Sequence, residues 1–172
     1  NMEVRIASPD PHTIPGEIQV KGANVFLGYY KNEAATKEVL TKDGWFKTGD
    51  MGILDEEGSL FIKGRTKCMI LGPSGQNIYP EEVETVINSQ PYVVDSLVVE
   101  DDGGLTALIY PDFPQGARDG MNQDAFVKYI ESTLPELNKE LPNYAKLKRI
   151  EVMSEDFERT PKKSIKRYLY QR

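Results

Sequence analysis

The chain has 172 residues, of which 39% are hydrophobic and 28% are charged, and its formal net charge is -6. This composition is typical of a globular protein, and the single cysteine, Cys68, excludes an internal disulfide. No segment approaches the ~20 apolar residues that span a bilayer, and no secretory leader is visible, so we expect a cytoplasmic protein with at most peripheral membrane association.

The first third of the chain has the pattern of short strands separated by turns. The segments EVRIA, GEIQVKG and SLFIKG alternate or run apolar, and prolines and glycines separate them. Residues 32–40 predict a short helix capped by Asn32, and residues 55–60 predict a hairpin turn.

Beyond residue 64 the pattern changes to helices alternating with strands. Pro80 suits the first turn of a helix that has three acidic residues near its positive end and one apolar face. VVDSLVVE and LTALIYPD predict an antiparallel hairpin, and residues 147–153 a third strand. A second amphipathic helix follows the predicted cap Asn122. The sequence thus predicts an α+β fold with two domains, residues 1–64 and 65–172; the second has a short antiparallel sheet and flanking helices.

Three motifs contain the candidate functional residues. The first is GWFKTGD, which ends at Asp50, where Gly49 allows a sharp turn that would point the carboxylate off the end of a strand. The second is GRTKCMILGPSGQNIYPEEVE (residues 64–84), which places Arg65 and Lys67 beside a turn where an anion could bind. The third is TPKKSIKRYL (residues 160–169), a basic segment near the end of the chain.

In this order, with GEIQVKGANVFLGYY upstream, the motifs resemble the adenylate-forming superfamily, which includes acyl-CoA synthetases, firefly luciferase and the adenylation domains of peptide synthetases. The sequence ILGPSGQNIYPEEVE is most similar to the long-chain fatty acyl-CoA synthetase branch of this superfamily. The resemblance implies that residues 1–64 are the β-rich, barrel-like end of a large N-terminal domain and that residues 65–172 form the small C-terminal lid domain. The family's phosphate loop, acyl pocket and adenine shelf have no match here, so we expect a fragment that is inactive alone. Asn1 in the first position agrees with a fragment.

The implied reaction joins a carboxylate to ATP, giving an acyl-adenylate and pyrophosphate, and then transfers the acyl group to CoA with release of AMP. The resemblance implies that Asp50 accepts hydrogen bonds from the ribose hydroxyls and that Arg65 holds the same nucleotide, through a ribose hydroxyl pair or a phosphate. It also implies that Lys67 is the hinge between two domain poses and that Gly75 lies against the pantetheine arm of CoA. ATP or AMP, CoA and Mg²⁺ are the implied cofactors of the complete enzyme, but no dedicated metal site is predicted in this chain.

Each of these residues also has a purely structural interpretation. Asp50 could satisfy backbone N–H groups in a turn, Arg65 could form a surface salt bridge, and Gly75 could be a turn glycine. Two alternative functions also stay open for the whole protein. One is an adenylation domain that loads a carrier protein, and the other is a non-catalytic module that binds a nucleotide or an acyl group. The expected partners are the missing N-terminal domain, a fatty acid and CoA.

The basic tail departs from the family pattern. Three residues before Arg167, where the family has its catalytic lysine, this chain has Ser164. Lys163 and Lys166 are the candidates to place a cation between the acyl carboxylate and the α-phosphate, where negative charge builds up during adenylation. The alternative is a solvated basic tail. Nucleic-acid binding is not expected, because acidic residues are interspersed with the basic ones and no stacking aromatic residues accompany them.

Overall fold

The computed structural model describes residues 2–171. It divides into two compact units, one up to Met69 and one from Ile70 onwards. The domain boundary expected after residue 64 falls inside the first unit and stays a prediction. Within the described residues, no helix is both long enough and apolar enough to cross a membrane.

The first unit is a four-stranded antiparallel sheet with strand order β1-β2-β3-β4. Its strands are β1 (Met2–Ala7), β2 (Gly16–Gly22), β3 (Phe46–Leu54) and β4 (Leu60–Arg65), and the helix α1 (Glu33–Val39) lies between β2 and β3 in sequence. Two local predictions are confirmed. The Asn32 side chain accepts a hydrogen bond from the Ala35 N–H at 3.1 Å and caps α1. Asp55 accepts one from the Ser59 N–H at 2.7 Å and closes the β3–β4 turn.

The second unit contains a small hairpin and a three-stranded sheet. The hairpin pairs β5 (Ile70–Leu71) with β6 (Asn77–Ile78), and the sheet has the order β7 (Val93–Asp101), β8 (Gly104–Pro111), β9 (Leu147–Val152). The predicted β7–β8 hairpin is antiparallel, whereas β9 joins β8 in parallel. The α+β class is confirmed, and the sheet is mixed because a crossover of helices precedes β9.

Helices cover one face of this sheet, which we call the helix face. They are α2 (Pro80–Asn88), α3 (Phe113–Arg118), α4 (Gln123–Ser132) and α5 (Leu134–Glu140). Alternate residues of β8, among them Leu105, Ala107 and Ile109, join a buried apolar core with Phe126 and Ile130. The apolar face of the second amphipathic helix predicts burial of Phe126, Ile130 and Leu134; the first two are buried, and Leu134 is partly buried against the same core.

The C-terminal segment, residues 153–171, covers the opposite face, which we call the tail face. Its buried apolar cluster contains only Leu97, Val99, Leu108 and Phe157, with residues such as Tyr170 packed against it. The Tyr170 hydroxyl accepts a hydrogen bond from the Glu158 N–H at 2.8 Å. Phe157 and Tyr170 thus pack this segment, up to residue 171, against the sheet.

Candidate functional site

Asp50 and Arg65 lie side by side on neighbouring strands. They are register partners in β3 and β4, and the Arg65 Nε atom is 2.9 Å from Asp50 Oδ1. The prediction that Asp50 points off the end of a strand is wrong, because β3 continues to Leu54. Gly49, with φ +77°, lies where the β2–β3 register shifts between Glu17 and Gln19, so the sharp turn of the backbone is a bulge inside the strand.

The Asp50–Arg65 ion pair leaves both groups with further hydrogen-bonding capacity. The side chain of Arg65 is 64% exposed and that of Asp50 is 31% exposed. Since the pair uses one guanidinium N–H and one carboxylate oxygen, the other N–H groups can donate to an anion or hydroxyl, and the second carboxylate oxygen can accept from a hydroxyl. The surface salt bridge and the ribose-binding interpretation of Arg65 are therefore compatible.

Lys67 lies in a single 3₁₀ turn, Thr66–Cys68. The residues on either side are extended, with φ -92° and ψ 135° at Arg65 and φ -60° and ψ 132° at Met69. The Lys67 side chain is exposed, and the first compact unit ends two residues later, at Met69. The local backbone is thus a short turn between extended residues, and the Lys67 side chain has no visible packing role.

Gly75 closes the tight turn between β5 and β6. Its N–H donates to the Gly72 carbonyl at 2.9 Å, and the Gly72 N–H donates to the Gln76 carbonyl at 2.8 Å. Gly75 has φ +79°, and a Cβ atom there would have no neighbour within 4 Å. Conformation, and not space within this chain, therefore requires glycine at this position. The same loop forms one wall of a cavity of about 320 Å³ that is also lined by Gly104, Tyr144 and Lys146.

The two candidate lysines have different surroundings. Residues 160–164 form a tight exposed loop, the lysine loop, in which the Thr160 N–H donates to the Ser164 carbonyl and the Lys163 N–H to the Thr160 carbonyl, both at 2.8 Å. Lys163 has φ +64°, and no ion pair of its ammonium group is found within residues 2–171. Lys166 Nζ is 3.0 Å from Glu158 Oε2, and this hydrogen bond raises the pKa of Lys166.

Sequence analysis missed a buried carboxylate, Glu84, which it treated only as a favourable charge near a helix start. Glu84 is 7% exposed. Its Oε1 atom accepts a hydrogen bond from the Val98 N–H at 2.7 Å, and its Oε2 atom accepts one from Arg167 Nη2. Burial raises the pKa of Glu84, and the Arg167 guanidinium opposes that rise. A signal was present, since Glu84 falls in the apolar stripe of α2 with Val83 and Ile87.

Residues 69–172 match the family described as "AMP-binding enzyme C-terminal domain". The probable 4-coumarate–CoA ligase 2 of Dictyostelium discoideum is 47% identical over 121 residues, which cover 67% of this chain and 21% of that protein. The long-chain-fatty-acid–CoA ligase FadD15 of Mycobacterium tuberculosis is 31% identical over 172 residues, covering 88% of this chain and 28% of FadD15.

A solved structure shows the same similarity in three dimensions. The O-succinylbenzoate coenzyme A synthetase MenE of Bacillus subtilis, in complex with ATP and magnesium ion, superposes with a TM-score of 0.78 at 30% identity. The match covers 97% of this chain and 33% of that structure. The matched region therefore spans between a fifth and a third of these three proteins, which are named for different acids.

Proposed function

This chain belongs to the family of AMP-binding enzyme C-terminal domains, and we propose that it is the C-terminal part of an ATP-dependent acid–CoA ligase. The observation that carries the proposal is the pairing of Asp50 with Arg65 at 2.9 Å, which places a carboxylate acceptor beside a fork of N–H donors. A carboxylate can accept from both hydroxyls of a ribose, and a guanidinium is suited to a ribose hydroxyl or a phosphate. A single nucleotide can engage both groups.

In the proposed reaction the carboxylate of the acid attacks the α-phosphate of ATP, and pyrophosphate leaves. The thiol of CoA then attacks the acyl carbon, and AMP leaves. Asp50 and Arg65 would hold the nucleotide through both steps. Lys163, on the exposed lysine loop, would stabilise the negative charge that builds up between carboxylate and α-phosphate in the first step. Lys166 is the second candidate, and its ammonium already pairs with Glu158.

Mg²⁺ is proposed to bind together with ATP in the complete enzyme, as in the MenE complex. Within residues 2–171 there is no group of three or more His, Cys, Asp or Glu side chains that could hold a metal ion. We therefore assign none of these residues to the ion. Its contribution there would be to balance phosphate charge.

For the acid we propose a long-chain fatty acid. Two observations support this choice. The ILGPSGQNIYPEEVE segment is most similar to the long-chain fatty acyl-CoA synthetases, and the similarity to the long-chain-fatty-acid–CoA ligase FadD15 extends over 88% of this chain. A 4-coumarate-type aromatic acid is the second candidate, favoured by the 47% identity of the shorter match. The acyl pocket, which has no match in this chain, would decide between the fatty acid and the aromatic acid.

The test uses the complete enzyme that contains this chain. We expect it to release pyrophosphate and to form acyl-CoA with a long-chain fatty acid, and to do so more slowly with 4-coumarate or 2-succinylbenzoate. The separate 172-residue chain should catalyse no acid-dependent pyrophosphate exchange. Exchange by the separate chain, or no acid-dependent reaction of the complete enzyme with any of the three acids, would contradict the proposal.

We also propose that Lys67 acts as the hinge through its backbone. The substitution Lys67→Pro fixes φ near -65°, which suits the observed 3₁₀ turn but restricts rotation. In the complete enzyme we expect acyl-adenylate formation to continue and thioester formation to fall. The matched control is Lys67→Ala, which removes the side chain and keeps the backbone free, so both half-reactions should continue. Equal loss of both half-reactions in a folded Lys67→Pro enzyme would argue against a hinge.

A further inference from the structure

An arginine flanks the lysine loop on each side, and carboxylates from elsewhere in the second unit hold both arginines. Before the loop, Arg159 Nη2 is 2.7 Å from Asp95 Oδ2, and its Nη1 donates to the Lys163 carbonyl at 3.3 Å. After the loop, Arg167 Nη2 donates to Glu84 Oε2. Both ends of the loop are therefore tied to regular secondary structure, since Asp95 lies in β7 and Glu84 in α2.

The Glu84 anchor is the more buried of the two. The side chains of Glu84 and Arg167 are 10% and 23% exposed, against 22% and 31% for Asp95 and Arg159. The second oxygen of Glu84 accepts from the Val98 N–H on the outer edge of β7, which is an edge strand of the sheet formed by the described residues. One carboxylate thus links three elements of the unit: the helix α2, the edge strand β7 and the segment that follows the lysine loop.

A further acidic group faces this contact. Glu81 Oε1 lies 3.8 Å from Arg167 Nη2, and it repels a negative charge on Glu84. Arg167 therefore lies between two carboxylates that approach it from one helix. A planar guanidinium can donate to both at once, whereas a lysine ammonium in its place would keep the charge and lose that fixed geometry.

We propose that the Glu84–Arg167 ion pair is a positioning contact that sets where the lysine loop presents its cation during adenylation. This inference rests on the proposed function. Residues 160–164 are held by their two internal hydrogen bonds and by Arg159, and the base of the loop is closed by the Lys166 N–H, which donates to the Glu158 carbonyl at 2.8 Å. These contacts close the loop on itself, whereas the ion pairs at Arg159 and Arg167 add directional links to β7 and α2. Most of the buried apolar residues of the unit lie on the helix face, so loss of the pair should loosen residues 159–170 and leave the core folded.

The experiment compares Glu84→Gln and Arg167→Lys in the complete enzyme. Both are close in shape to the native residues, and each weakens the pair. Because small displacements of a reacting group can lower rates by on the order of a hundredfold, we expect acyl-adenylate formation in a single turnover to slow by about that factor. The KM values for ATP and acid should hold, and thioester formation from supplied acyl-adenylate should be unchanged.

Hydrogen exchange supplies a readout that does not depend on activity. In both variants the amides of Thr160 and Lys163 should exchange faster, while those of β8 should exchange as in the parent. The control is Lys139→Met, which breaks an exposed ion pair with Glu136 in the same unit. It should change neither the rates nor the exchange of the lysine loop.

The double variant Glu84→Gln/Arg167→Met separates positioning from stability. Each single substitution weakens the partly buried pair and should lower stability, whereas the double variant has no charge at position 84 or 167, so stability should largely return, but adenylation should stay slow. Return of adenylation together with stability would overturn the proposal and leave the pair a structural role. A second outcome concerns the positioning proposal and not the lysine role. If Glu84→Gln and Arg167→Lys adenylate at the parent rate while Lys163→Ala or Lys166→Ala is slow, the ion pair does not position the loop, but the proposed lysine role stands. If both lysine variants also adenylate at the parent rate, the proposed lysine role fails and the positioning inference fails with it.

Discussion

The two faces of the three-stranded sheet in the second unit are covered in different ways. The helix face carries fourteen buried residues of one apolar cluster, whereas the cluster on the tail face has four. Arginine–carboxylate pairs from the tail add to this smaller contact: Arg159 pairs with Asp95 of β7, and Arg167 pairs with Glu84 of α2, a helix of the other face. Because apolar burial scales with area and ion pairs depend on direction, we infer that the helix face supplies stability and the tail face supplies position.

The largest expected effect is on the helix face. Phe126 is 1% exposed, and its ring lies edge-to-face with Tyr92 and Phe113 at centroid distances of 5.4 and 5.8 Å. Phe126→Ala should lower the free energy of unfolding by about 3–5 kcal/mol, since it removes the ring and leaves a cavity. Urea unfolding followed by circular dichroism measures it. Phe61→Ala, at a 51% exposed ring, is the control and should change less than about 1 kcal/mol.

The same substitution on the tail face tests the comparison directly. Phe157 is 3% exposed and packs edge-to-face with Tyr170 at a centroid distance of 5.3 Å. We expect Phe157→Ala to cost less stability than Phe126→Ala, because the smaller cluster can close around the site. Hydrogen exchange should quicken in residues 159–170 and not in α4. If Phe157→Ala and Phe126→Ala lower stability equally, and if hydrogen exchange quickens on both faces in each variant, the two faces do not differ in role.

Next in size is a pH effect at the buried ion pair. Burial raises the pKa of Glu84 above 4.5, and Arg167 opposes the rise, so Arg167→Met should raise that pKa further. A carboxyl whose pKa is higher in the folded state stabilises the fold below the unfolded pKa and loses this contribution as pH rises through the folded pKa. The variant should therefore lose stability from about pH 5 upwards, by on the order of 2 kcal/mol at high pH.

Unfolding of this variant between about pH 5 and pH 8 measures the effect. The double variant Glu84→Gln/Arg167→Met serves as control, since it has no carboxyl at position 84 while Glu81, which also faces Arg167, is present in both variants. It should lack the pH dependence that Glu84 adds. Stability of Arg167→Met that increases with pH over this range would show that Glu84 is not the responsible group.

The smallest effect lies outside both faces, in the β5–β6 turn. Gly75→Ala should cost about 1 kcal/mol, because φ is +79° while space for a methyl group is free. Gly120→Ala, at φ +83° and equally free of neighbours, should cost about the same and is the matched control. In the complete enzyme only Gly75→Ala should slow thioester formation, if CoA passes this turn. Equal rates for the two variants would leave Gly75 as a turn glycine.

Local signals predicted much of the fold. The side-chain caps at Asn32 and Asn122, the β7–β8 hairpin and Pro80 at the start of α2 all depend on residues close in sequence. The helices α3 and α5 were not predicted, and α3 contains Pro114 and Gly116, which are both weak helix formers. Gly116 is required by packing, since a Cβ there would lie 2.8 Å from the Phe126 ring. Neither that contact nor the parallel pairing of β9 leaves a mark in local sequence.

The candidate site was also predicted only where local sequence determines it. The motifs identified Asp50 and Arg65 as candidates and predicted a tight turn at Gly49, but the bulge that keeps Asp50 inside β3 depends on pairing with β2. The contact between Glu84 and Arg167 joins residues 83 positions apart. A charge in an apolar stripe can suggest that a partner exists, but only the fold selects the partner.

We propose that the tail supplies the cation for adenylation and for that half-reaction alone. The decisive measurement compares Lys163→Ala, Lys166→Ala and Ser164→Lys, each made in the complete enzyme and assayed separately for the two half-reactions. We predict that Lys163→Ala slows acyl-adenylate formation by roughly a hundredfold to a thousandfold, the scale for losing one preorganised electrostatic donor, while thioester formation from supplied acyl-adenylate continues. If Lys163→Ala and Lys166→Ala both form acyl-adenylate at the parent rate, the claim is contradicted and the tail is a solvated basic segment.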